Sequence, residues 1–155
     1  MMSASQNEEF FKKLIPLLRT HWATDDIDQW VQIEGDFEHL VGYGRIFWPA
    51  FVEHDDCIFF AGRFTEKNYL AFMAQTKGNK SAVEAVMNHE HVLDMFSNAP
   101  VRLSREMVLY VGRLLKEVWQ AKLNQEFPNR RITVSFPEDF SEDLLYYEVT
   151  FFQNR

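Results

Sequence analysis

The sequence predicts an α+β fold: a small antiparallel sheet, about four strands in two hairpins, covered by about five helices. Three observations carry this prediction. Apolar residues recur at helical spacing in several segments that are separated by caps and breakers. Two short apolar runs flank His54-Asp55-Asp56. The C-terminal residues alternate with period two. A chain of 155 residues fits one globular domain over 1–155, able to bury roughly 68–70% of the surface its unfolded form exposes. With 15 Phe, 4 Trp and 5 Tyr it has ample apolar area to drive folding.

The first helix is expected from Ser5 to Trp22, with Phe10, Phe11, Leu14, Ile15, Leu17 and Leu18 on its apolar side. Pro16 removes one backbone donor and clashes with the preceding turn, so the helix kinks or divides there. In residues 24–35, WVQI reads as a short strand or an irregular turn, and Gly35 breaks the pattern. Asp36 can cap a second helix, along which Phe37, Leu40, Val41, Gly44, Phe47 and Trp48 follow at helical spacing and which Pro49 ends. Ala50 to Glu53 and Cys57 to Gly62 read as two strands joined at His54-Asp55-Asp56, since Asp tolerates turn conformations. The second of these, CIFFAG, is apolar on both faces and is expected inside the sheet.

Thr65 caps a third helix, and Ser81 a fourth that the periodicity carries from Ala82 to Phe96. Ser104 opens the longest helix, to about Glu126, with Met107, Val108, Val111, Leu114, Leu115, Val118 and Ala121 as its buried stripe. Gly112 within it marks a close approach to another backbone. Ile132, Val134 and Phe136, then Leu145, Tyr147, Val149 and Phe151, define two half-buried strands.

Charge excludes some functions. Sixteen Lys and Arg against 23 Asp and Glu give a net charge of −7. Residues 1–56 hold 11 acidic and 4 basic residues, so the whole imbalance lies in the first third. Arg130-Arg131, with Arg102 and Arg105, is too small a basic cluster to displace counterions from phosphates, so nucleic acid is not an expected ligand. A single cysteine, Cys57, forms no internal disulfide. The N-terminus lacks the pattern of a secretory signal, and no apolar stretch is long enough to span a bilayer. A cytoplasmic protein with no membrane partner is expected.

Several clusters carry candidate chemistry. His89, Glu90, His91 and Asp94 are potential metal ligands. On the expected helix, however, residues two apart point about 200° from one another, so His89 and His91 cannot share an ion, and His89 falls on the apolar stripe as a core histidine. His54, Asp55, Asp56 and Cys57 gather in one turn, where turn formation and a buried, inert thiol account for them without chemistry. Gly42-Tyr43-Gly44-Arg45 lacks the spacing of a phosphate loop, and its glycines fit close helix packing. No cofactor motif is present. Phe47, Trp48, Phe51, Phe59, Phe60, Phe64, Tyr69 and Phe72 fit either a core or an aromatic-lined ligand pocket.

The stretch TDDIDQWVQIEGDFEHL stands apart. It carries six carboxylates, Asp25, Asp26, Asp28, Glu34, Asp36 and Glu38, and neither Lys nor Arg. Trp30 and Ile33 sit among them. An aromatic anchor ringed by charge resembles a protein–protein hot spot. The function expected is therefore a non-enzymatic, inhibitor- or immunity-like protein that docks a basic protein partner through Asp25, Asp26, Asp28, Trp30, Glu34, Asp36 and Glu38. The alternatives are a small-molecule binder using the aromatic run, or a hydrolase or metal enzyme using His54, Asp56, His89 or His91. A strand edge at Tyr146–Phe152 would also allow pairing with a second copy.

Overall fold

The structure, a computed structural model, describes residues 27–96 and 103–155. The helix expected from Ser5 to Trp22, with its Pro16 kink, lies outside the described residues. The chain forms two compact units, Met1–Gly44 and Arg45–Arg155. The first contributes α1 (Ile27–Glu34) and most of α2 (Phe37–Phe47). The second contains β1 (Phe51–His54), β2 (Cys57–Phe60), α3 (Glu66–Gln75), α4 (Lys80–Met87), β3 (Glu90–His91), α5 (Arg105–Glu126), β4 (Ile132–Ser135) and β5 (Glu148–Gln153). This is the α+β class, with the strands divided between an antiparallel hairpin β1–β2 and an antiparallel sheet of order β3-β5-β4.

The hairpin turns at Asp55 and Asp56, with φ of 46° and 63°. Two consecutive left-handed residues match the right-handed twist of the flanking strands, and Asp bears that conformation better than most side chains. Strand β2 is buried along its whole length because its two faces enter different clusters. Ile58 and Phe60 join the main core with Val108, Leu115, Trp119 and Leu123 of α5 and Val149 and Phe151 of β5. Cys57 and Phe59 join Tyr69 of α3 and Val83 of α4.

Among the described residues no second strand pairs with β2; side chains take that place. Ile58 N donates to Glu84 Oε1 at 2.9 Å, and Phe60 N donates to Asn88 Oδ1 at 3.3 Å. Asn88 Nδ2 donates to Ile58 O at 2.8 Å and to Phe151 O at 3.3 Å, and Gln153 N donates to Glu84 Oε2 at 2.9 Å. A carboxylate and a carboxamide therefore bridge β2 to β5, satisfying backbone groups that would otherwise be buried without partners.

This bridge also explains where α4 stops. The periodicity predicts a helix to Phe96, but Asn88 is drawn onto the strands and the chain leaves the helix for β3. The cap at the other end is Asn79, whose side chain accepts from Ala82 N, rather than Ser81. The caps at Thr65 and Ser104 are as expected. On α5 the buried positions are Val108, Gly112, Leu115, Trp119, Lys122 and Leu123. Ala121, expected in the stripe, is exposed. Gly112 meets the Phe136 ring, not another backbone: a Cβ there would stand 2.1 Å from Phe136 Cζ.

Strand β5 is central, paired with β3 at Glu148–Val149 and with β4 over Thr150–Gln153. Beyond the two residues paired with β3, Asn88 and Glu84 meet β5 at Phe151 O and Gln153 N. The expected free edge at Tyr146–Phe152 is thus taken, and Leu145 and Tyr146 belong to a short 3₁₀ turn, Leu144–Tyr146.

Candidate interaction surface

The acidic stretch folds into two helices separated by Gly35 and Asp36, so the strand or irregular turn expected at WVQI is instead helical, within Ile27–Glu34. Gly35 N donates to Val31 O at 3.0 Å, which closes the last turn of α1. A Cβ on Gly35 would stand 2.1 Å from that same oxygen, so glycine is required. Asp36 then opens α2: its Oδ1 accepts from Glu38 N at 2.7 Å and from His39 N at 3.1 Å. These amide hydrogen bonds hold the Asp36 carboxyl below the usual carboxylate range.

None of the α2 side chains is buried. Phe37 is 77% exposed, Ile33 68% and Leu40 63%, with Val31, Val41 and Tyr43 exposed as well. Phe37, Leu40, Val41 and Gly44 fall at helical spacing, so they form one apolar stripe. The structure leaves Phe37, Leu40 and Val41 of this stripe exposed. Asp28, Asp36 and Glu38 are exposed beside it. Trp30 and Glu34 lie on α1, their side chains outside the described ones, and Asp25 and Asp26 lie outside the described residues. Among the described side chains of this segment the exposed aromatic is Phe37, which the hot-spot pattern passes over in favour of Trp30. Gly42 and Gly44 do not mediate close packing: among the described residues a Cβ on either meets nothing within 4 Å.

The Asp55-Asp56 turn is a clasp of matched charges. Asp55 accepts from Tyr69 Oη and lies 3.0 Å from Lys80 Nζ. Asp56 pairs with Arg130, which also reaches Glu53 at 3.3 Å. The Tyr69 hydroxyl and the Arg130 guanidinium are the main causes that hold the two carboxyls below their ordinary range. Cys57 is buried, and desolvation, reinforced by the Glu84 charge, pushes its thiol up to about 11. His54 packs its ring against Phe64 and Tyr69. This is a structural arrangement with no activated nucleophile.

The aromatic run is packed ring on ring: Phe60 meets Trp119 and Phe151 at 4.9 and 5.0 Å, and Phe51 meets Phe151 at 5.3 Å. His89 is exposed, not a core histidine. His91 stands opposite Glu148 in the sheet. No helix of the described residues is long and apolar enough to cross a membrane. The chain has no significant match to a protein-family model, a curated protein or a solved structure.

Proposed function

We propose that the protein is a non-enzymatic, cytoplasmic binding protein, inhibitor- or immunity-like, that docks a basic protein partner through its acidic N-terminal third. The observation that supports this reading is the exposed stripe Phe37–Leu40–Val41, with Ile33 from the neighbouring helix, set among Asp28, Asp36 and Glu38. Residues 27–44 contain no Lys or Arg. The chemistry complementary to such a face is a cationic, amphipathic surface. Its charges are steered by Asp25, Asp26, Asp28, Glu34, Asp36 and Glu38, and its apolar side covers Phe37 and Leu40. Burying each large side chain contributes about 1.5–3 kcal/mol. Trp30 on α1 is a further anchor of the kind that concentrates binding energy.

The test uses immobilised full-length protein and soluble extract from the cells that make it, at low and high salt. Wild type is compared with Asp28→Lys/Glu38→Lys and with Phe37→Ser/Leu40→Ser. The expected result is retention of a basic protein at low salt, weakened by salt and lost in both double variants. Retention indifferent to both pairs of substitutions overturns the reading.

A further inference from the structure

We infer that His89, His91 and Glu148 form a binding site for a divalent transition-metal ion, zinc by preference. Each residue offers one ligand atom, and the three atoms lie within 4.8 Å of one another. The helical spacing expected from the sequence would send the two imidazoles to opposite sides. The structure ends α4 at Met87 and extends the chain through His89 to β3, and on an extended chain residues two apart share a side. The rings accordingly stand 5.4 Å apart between centroids, at 79°. Glu148 comes from β5, directly across the antiparallel pair from His91. Glu90, between the two histidines, pairs with Arg63 and takes no part.

A second observation points to a ligand. His89 Nδ1 lies 2.6 Å from Val86 O and His91 Nδ1 lies 2.7 Å from Leu145 O. A carbonyl oxygen only accepts, so each Nδ1 donates, and in the neutral ring that leaves Nε2 with the unshared pair a metal ion needs. A histidine whose Nδ1–H is held by a backbone carbonyl is oriented and polarised as metal-binding histidines commonly are. Glu148 Oε2 stands 3.9 Å from His91 Nδ1, and its side chain is 43% exposed. Ligand atoms around a tetrahedral zinc are about 3.3 Å apart, so atoms that now lie within 4.8 Å of one another close by at most about 1.5 Å. Two imidazoles and one carboxylate suit zinc or copper better than magnesium or calcium, which favour all-oxygen sites. The fourth position goes to water, since His89 is exposed.

The experiment is a titration of chelator-treated full-length protein with zinc ion, read by calorimetry and by the thermal midpoint, beside His89→Ala/His91→Ala, Glu148→Gln and the control His39→Ala. The expected result is one zinc per chain and a midpoint that rises with zinc. Affinity should fall at least tenfold in Glu148→Gln, vanish in the double variant and persist in the control. The imidazole resonances of His89 and His91 in the wild type should shift together, a readout that survives if a variant fails to fold. Binding that persists in a folded double variant, or wild-type protein that takes up no zinc, overturns the inference.

Discussion

The Arg155 guanidinium donates to Glu84 Oε2 at 2.7 Å, and Glu84 is 0% exposed. The same carboxylate accepts from Ile58 N, Gln153 N and Gln153 Nε2, the last at 2.7 Å. It is thus an ionic hub between a helix and two strands that no ladder hydrogen bond connects. Removing one member of such a pair strands the other charge in the interior. Arg155→Ala should cost about 3 kcal/mol in urea unfolding, the lower end for a buried pair, because the guanidinium keeps some contact with water. Glu84→Ala, which also orphans two strand amides, should cost more. An effect of either below about 0.5 kcal/mol would place the β2–β5 connection elsewhere.

Gly112 lies under the Phe136 ring. Alanine gains about 1 kcal/mol in helix propensity, but its methyl group meets a ring in a packed core, at a cost of about 1–3 kcal/mol. Gly112→Ala should therefore lower the thermal midpoint, and adding Phe136→Leu should recover part of the loss. A higher midpoint for the single variant would contradict the packing.

The Cys57 thiol should be silent toward disulfide reagents at pH 8 in the folded protein and react at the rate of unfolding. Its folded-state value, pushed up to about 11, lies above that of a free thiol, about 8.5. The protonated thiol is therefore the form that folding favours. Its stabilisation is complete below about pH 8.5 and is lost as pH rises toward 11. Cys57→Ser should flatten that alkaline decline, as read by chemical denaturation across the window.

Asp36 caps α2 as a carboxylate held below its ordinary range by two amides. A depressed value means that its stabilisation is present above about pH 4 and lost as pH falls. The Glu38 and His39 amide resonances should move below that pH in the wild type. In Asp36→Asn, which keeps the acceptor and removes the charge, this titration should be absent. Asp36→Ala should fray the first turn at every pH.

Much of this architecture is legible in the residues themselves. Asp55-Asp56 announces the hairpin, Asp36, Thr65 and Ser104 announce helix starts, and alternation in ITVSF and YEVTFF locates β4 and β5. What is hidden depends on partners far along the chain. Asn88 ends α4 because Ile58 O and Phe151 O, 30 and 63 residues away, take its amide, and no local pattern contains them. The same displacement turns two histidines from opposite faces of a helix to one side of an extended segment. The stripe on α5 is misjudged where Trp119 sends Nε1 to Ile46 O and Lys122 lies over the Trp48 ring, contacts made across the fold. On α2, periodicity identifies an apolar face but carries no information about whether anything covers it.

The exposed acidic and apolar face of α1 and α2 is tested most directly by titrating isotope-labelled protein with a synthetic basic amphipathic helical peptide, and in parallel with its acidic counterpart. The account predicts amide shift changes concentrated in Asp28–Tyr43 for the basic peptide, weakened by salt and absent with the acidic one. No change with the basic peptide, or changes confined to Arg45–Arg155, would contradict it.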